Sequence, residues 1–267
     1  GEKVYGEVDG EDVFTVAKSA LLAGTSITDI ITNAEIVSED ATTITMAGAD
    51  LIGRTAGEDV GEYSYTTDTS AFAVNSNYKL ILDVEGKTFA ITQRELVVTA
   101  LNGGKVYGDS DGQINFAVAK SSLAPGASIA DVITNADVVS EDADNIIMTG
   151  DGLISRTAGE KVGTYKYVAN ASNFDVNSNY ALVINLEGKT FVIEKKIVLV
   201  TVVSGQEFEY TGEETYAIDY TLDDATYGYA LVTPVWVLTD VGVEEVGLRK
   251  YISKEVGATL ASNDANI

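Results

Sequence analysis

The stretch RTAGEDVGEYSY at residues 54–65 returns as RTAGEKVGTYKY at residues 156–167. A near-copy of this length is either a site used twice or a structural signature used twice, and the residues that differ between the copies separate the two. Glu62 becomes Thr164 and Ser64 becomes Lys166, while Tyr63 and Tyr65 persist as Tyr165 and Tyr167. In a strand, that alternation sets the tyrosines on one face and the variable polar residues on the other. Thr55-Ala56-Gly57-Glu58 reads as the turn before the strand. Arg54, Glu58 and Tyr63 belong to residue types that bind anions or move protons, but no nucleophile and base accompany them. The stretch is expected to be structural.

Working outward, residues 1–101 align without a gap on residues 103–203 at about 55% identity, the mark of a tandem duplication. Lys3-Val4-Tyr5-Gly6 falls on Lys105-Val106-Tyr107-Gly108, and Asn75-Ser76-Asn77-Tyr78 on Asn177-Ser178-Asn179-Tyr180. A degenerate third copy follows. Glu209-Tyr210-Thr211-Gly212 stands where Lys-Val-Tyr-Gly is expected, and Val246-Gly247 with Tyr251 matches Val162-Gly163 with Tyr167. The expected modules are residues 1–93 without a first strand, 94–196 complete, and 197–267 divergent and without its last strands. This pattern is read as a piece of a longer array; the alternative is that a neighbouring chain supplies the missing strands.

Short branched and aromatic runs dominate: YKLILDV, TFAIT, ELVVTAL and their counterparts one repeat later. These predict strands. Glu85-Gly86-Lys87, repeated as Glu187-Gly188-Lys189, predicts a β-hairpin between YKLILDV and TFAIT. One short helix per repeat is expected at Ser128–Ala136 and Ser26–Ala34. Ser128 and Asp131 resemble a capping box there, and Ile129, Val132, Ile133 and Ala136 share one face. The predicted fold is therefore mainly β: β-rich α+β modules, each an antiparallel sheet with one short helix. The runs TFAITQRELVV and TFVIEKKIVLV join the repeats without Gly, Ser or Pro, so a stiff, elongated array is expected. An immunoglobulin-like sandwich is the alternative.

Composition narrows the functions. Forty-one acidic against 17 basic residues give a formal net charge of -24, which repels phosphate backbones and anionic lipid surfaces. Nucleic acid is not an expected partner. The absence of cysteine and histidine removes disulfides, Cys/His zinc sites, thiol nucleophiles and imidazole acid–base chemistry. No apolar run reaches membrane-spanning length, so no membrane insertion is expected. With 41 acidic residues, a glycosidase-like carboxylate pair could always be nominated and carries no information. The chain is expected not to be an enzyme and to use no cofactor.

Ser140-Glu141-Asp142-Ala143-Asp144-Asn145 and Asp109-Ser110-Asp111-Gly112 offer oxygen ligands of the kind Ca²⁺ takes. The first-copy counterpart, Ser38-Glu39-Asp40-Ala41-Thr42-Thr43, loses the later ligands. Solvated turns are expected, with no metal site. Trp236 lies in an apolar run and is expected in the core. Tyr227 and Tyr229, either side of Gly228, are the candidate ligand-binding residues, as rings presented outward by a turn. An intramolecular Lys–Asn isopeptide bond would need a buried carboxylate beside the pair.

Lys-Val-Tyr-Gly near the start of each copy, Ala-Gly-Glu-x-Val-Gly-x-Tyr in the middle, Ser-Asn-Tyr before the last strands and Phe-x-Ile at the end together resemble the MBG type of repeat. The resemblance spans copies one and two and is weak in copy three, where Arg249 stands in place of Tyr63 and Tyr165. It implies a module of extracellular bacterial surface proteins, often adhesin-like, located at the cell surface or cell wall. A stalk or adhesin role follows, with neighbouring repeats and a glycan, mucin or host surface protein as partners. The second reading is a carbohydrate- or mucin-binding module with its site in the divergent third repeat.

Overall fold

The computed structural model describes residues 1–197 and, beyond them, segments 200–203, 215–217, 220–222, 235–237, 240–241 and 251–252. Repeat 1 contains β1 (Glu2–Val4), β2 (Asp12–Ala17), β3 (Glu35–Glu39), β4 (Thr43–Gly48), β5 (Gly61–Ser64) and β6 (Thr88–Thr92). Repeat 2 contains β7 (Arg94–Ala100), β8 (Gly103–Val106), β9 (Asn115–Ala119), helix α1 (Ile129–Val132), β10 (Asp137–Glu141), β11 (Asn145–Thr149), β12 (Ile154–Arg156), β13 (Gly163–Ala169), β14 (Tyr180–Asn185) and β15 (Thr190–Glu194). The chain is mainly β, as its sequence predicts.

The chain divides into two compact units: Gly1–Leu101 with Gln113–Ser155 and Val168–Gly188, and Asn102–Gly112 with Arg156–Tyr167 and Lys189–Ile267. In the first unit, repeat 1 forms two three-stranded sheets, in the orders β1-β6-β5 and β2-β4-β3, and repeat 2 contributes a five-stranded sheet in the order β10-β11-β9-β7-β14. The second unit is centred on β8, β13 and β15, with β15 antiparallel to β13 and parallel to β8. Strands β16 (Val200–Val202), β17 (Thr215–Ala217), β18 (Tyr220–Leu222) and β19 (Val235–Val237) pair as β16 with β18 and β17 with β19, and β20 (Asp240–Val241) pairs with β21 (Tyr251–Ile252).

Three features differ from the expected module. Three of the sheets are mixed, because β1 runs parallel to β6, β14 to β7 and β15 to β8. That pairing also replaces the predicted hairpin. Gly188 makes the turn at φ +67°, but β14 and β15 leave it for different sheets, each finding a partner distant in sequence. The helix is a single turn in repeat 2 and a 3₁₀ turn (Ile27–Asp29) in repeat 1. Ser128 makes no side-chain cap, so the capping box does not form. The turn is held instead by burial of Val132 and Ile133 and by the bridge from Ile133 to Val176. The helical turn stands where the immunoglobulin-like alternative needs a strand.

The core of the five-stranded sheet is one layer of alternate residues: Leu96 and Val98 on β7, Phe116 and Val118 on β9, and Met148 on β11 are fully buried. In repeat 1 the corresponding cluster gathers Ile27, Ile31, Ile44, Met46, Leu51 and Phe72. Burial of an aliphatic or aromatic side chain of this size contributes roughly 1.5–3 kcal/mol, which lets a few short strands and a helical turn hold each layer. Among the described residues, no helix is long and apolar enough to cross a membrane.

Candidate functional site

The RTAGE block builds an ion cluster. Arg54 forks onto Asp9, with Nε donating to Oδ2 at 2.8 Å and Nη2 to Oδ1 at 3.0 Å. The same guanidinium donates to Glu58 at 2.7 Å and to the Gly57 carbonyl at 2.6 Å. Lys3 Nζ joins Asp9 at 2.6 Å and also binds Glu58. The Arg54 carbon lies 4.9 Å from the ring centroids of both Tyr63 and Phe89, a distance at which a ring face attracts a cation. Repeat 2 builds the same set: Arg156 on Asp111 and Glu160, Lys105 on both carboxylates, and Tyr165 and Phe191 about the guanidinium.

Burial decides what this cluster does. The side chains of Lys3 and Arg54 are 4% and 9% exposed, whereas Asp9 and Glu58 are 42% and 68% exposed. Two cations are thus sealed behind two carboxylates that reach water, and the charges balance. The Arg54 guanidinium, then Lys3, hold the Asp9 carboxyl down at about 2, and Lys3 and Arg54 hold Glu58 below its usual range. Burial pulls Lys3 down, but its hydrogen bonds to Asp9 and Glu58 outweigh that and leave it raised. Amide formation between Lys3 and Asp9 would need a neutral amine and a protonated carboxyl, the two states this arrangement disfavours. The cluster is an electrostatic staple that fastens the turn at 54–58 to β1.

Gly57 sits at φ +146° and its counterpart Gly159 at φ +143°. A Cβ on Gly159 would meet the Tyr165 ring at 2.6 Å. The turn therefore needs glycine both for its backbone and for the tyrosine lying over it. Tyr63 and Tyr165 each finish the loop by donating their hydroxyl to the carbonyl of Asp59 or Lys161 at 2.6 Å.

A second constellation lies within the first compact unit, where repeat 1 meets repeat 2. Asn179 is 6% exposed; its Nδ2 donates to Asp59 Oδ1 and its Oδ1 accepts from the Val60 N–H, both at 2.8 Å. Tyr5 packs edge-on against Tyr180, with ring centroids 5.5 Å apart. The Tyr180 hydroxyl accepts from the Ala124 N–H at 3.0 Å. Arg94 donates to the carbonyls of Ser122 and Tyr5, and Gln93 donates to those of Ser178 and Tyr180. Gly6, at φ +81°, leaves no room for a side chain, since a Cβ there would lie 2.5 Å from Ala124 Cβ. The Tyr-Gly turn of one repeat is thus a plug in the next.

The acidic loops serve turns. Asp142 Oδ1 accepts from the N–H groups of Asp144 and Asn145 at 2.8 Å each, and Asp40 does the same for Thr42 and Thr43. Those backbone donors hold both carboxyls below their usual range. Asp111 belongs to the Arg156 cluster. Among the described residues no three acidic side chains group as a metal cage. Tyr227 and Tyr229 lie outside the described residues; so does the side chain of Trp236, whose backbone in β19 pairs with β17. A shallow cavity of about 340 Å³ beside Leu21–Ile27 is lined by Lys18, Glu39 and Ile36 among others. Its only facing charges are one Lys–Glu pair at 3.5 Å.

Comparison with family models, curated proteins and solved structures returns no match.

Proposed function

We propose that the chain is a spacer segment of an extracellular bacterial surface protein, an array of MBG-type modules that presents a binding domain or contributes to host or matrix adhesion. The observation that supports this reading is the joint between repeats 1 and 2. Gln93 alone separates β6 from β7, and its side chain, with those of Arg94, Asn179 and Tyr180, fastens the two repeats. A chain that spends side chains on fixing one repeat to the next, and repeats its ion cluster as a staple, is built to keep its modules in register. The net charge of -24 suits a solvated surface exposed to other macromolecules.

Small-angle scattering of the 267-residue chain is expected to give a rod-like profile, with no signal on glycan and mucin arrays. A compact profile would remove the spacer role. A specific array signal that disappears in Tyr227→Ala or Tyr229→Ala would instead establish a carbohydrate-binding module, and turnover in a glycosidase screen would establish an enzyme.

A further inference from the structure

The two repeats differ most where their sequences agree. Asn179 and Tyr180 are buried, whereas their counterparts Asn77 and Tyr78 are exposed and half-buried. The Tyr78 hydroxyl oxygen is itself buried and has no hydrogen-bond partner among the described residues, while that of Tyr180 accepts from Ala124. Tyr180–Asn185 is a strand in register with Arg94–Thr99, whereas residues 78–83 pair with no strand among the described residues. On the other side of the same gap, β9 pairs with both β11 and β7, but among the described residues β2 pairs only with β4. Phe116 and Val118 on β9 are fully buried, and Phe14 and Val16 on β2 are half-exposed.

Each difference has one geometric cause: in repeat 2 a strand lies between β9 and β14 and a Tyr-Gly turn plugs against Tyr180. We propose that the face of repeat 1 formed by the open edge of β2, residues 78–83, Asn77 and Tyr78 is a docking site for another module of this same type, joined in line. That module would lay an Arg94–Ala100-like strand antiparallel to β2 and parallel to 78–83. Its Tyr-Gly turn would sit on Tyr78, and its counterpart of Asp59 and Val60 would take the Asn77 carboxamide. The occupant follows from the chain itself, because Tyr5, Gly6, Asp59 and Val60 of repeat 1, together with the Arg94–Ala100 strand that follows it directly, make this set of contacts on the rest of repeat 2. An unpaired sheet edge beside an exposed apolar layer favours strand addition, and the alternation of Leu96, Val98 and Ala100, all fully buried, defines the strand that fits. The inference rests on the repeat-array reading and names that array's partner.

The test extends the full chain by a copy of residues 1–102 placed ahead of Gly1 and follows hydrogen exchange by mass spectrometry. Amides of 78–83 are expected to slow at least about tenfold relative to the parent chain. An extension with aspartate at the positions of Leu96 and Val98 in the added strand should leave them fast, with exchange of 180–185 unchanged throughout as the folding control. Equal exchange of 78–83 in parent and extended chains overturns the proposal. So does slow exchange in the parent that depends on its concentration, which would make a second copy the occupant. Unprotected 78–83 with a rod-like scattering profile would remove the docking site and leave the spacer reading intact.

Discussion

Asn179 reaches back across 120 residues of sequence to Asp59, donating to its carboxylate at 2.8 Å while its own carbonyl oxygen accepts from the next peptide N–H, that of Val60. One buried carboxamide thus satisfies a side chain and a backbone group of the preceding repeat. Asn179→Ala orphans the Val60 N–H and is expected to destabilise by about 1–3 kcal/mol. The matched substitution Asn77→Ala, at an exposed position, should stay within about 0.5 kcal/mol. Urea denaturation of both variants checks the contrast, and equal effects would show that the joint is not where the stability resides.

Removing the centre of the ion cluster should be costlier than removing its rim. Arg54→Ala leaves Lys3 alone to balance two carboxylates and empties the space between Tyr63 and Phe89; a loss of roughly 2–3 kcal/mol is expected, below the full cost of breaking a buried pair because Asp9 and Glu58 reach water. Arg54→Lys should recover less than half of it, since an ammonium cannot fork onto Asp9 and also reach Glu58 and the Gly57 carbonyl. Thermal melts of the two variants separate charge from geometry.

The same cluster sets an acid limit. Asp9 has a folded pKa of about 2 against an ordinary 3.8, and Glu58, Asp111 and Glu160 are lowered as well. Groups with depressed folded pKa values contribute stability above their unfolded pKa and lose it as pH falls through the folded one. The melting temperature is therefore expected to hold down to about pH 4 and fall between about pH 4 and 2. In Asp9→Asn/Asp111→Asn the chain should start lower and fall less steeply. Added salt should shrink the difference, because the carboxylates are partly exposed.

Lys3 and Lys105 each touch two carboxylates, yet the guanidiniums keep Asp9 and Asp111 ionised. Intact mass is expected to equal the sequence mass. A deficit of about 18 Da per repeat, one water per amide formed, would show that the cluster cross-links.

Gly159→Ala should destabilise by more than about 1 kcal/mol, because its positive φ and the Tyr165 ring both exclude a methyl group. The double variant Gly159→Ala/Tyr165→Ala, read by urea denaturation, relieves the clash but not the backbone strain, and should therefore fall short of additivity.

The repeat period, the strands of TFAIT, ELVVTAL and their copies, and the turn at Gly86 were all legible, because they depend on local pattern. Pairing was not. Whether TFVIE returns along YALVIN or crosses to another sheet is decided by β7 and β13, which lie far away in sequence, and a short polar turn serves either outcome. The ion cluster left a signal that composition hid among many charges. Lys3, Asp9, Arg54 and Glu58 recur unchanged in repeat 2, while their charged neighbours drift, with Asp12 becoming Ile114 and Asp59 becoming Lys161. The joint was illegible for the opposite reason. Asn77 and Asn179 are the same residue in the same local sequence, and only what packs against each makes one buried.

The parallel pairing of β1 with β6 has a mechanical consequence. These are the first and last strands of repeat 1, held in register from Glu2 against Ala90 to Val4 against Thr92, and their hydrogen bonds lie across the direction in which tension would run between the ends of the repeat. β8 and β15 repeat the arrangement in repeat 2, Gly103 against Phe191 to Val106 against Glu194. Pulled along the chain, such ladders are loaded in shear, so their bonds must fail together rather than unzip one by one. Resistance to force would then be set by the barrier to unfolding rather than by equilibrium stability.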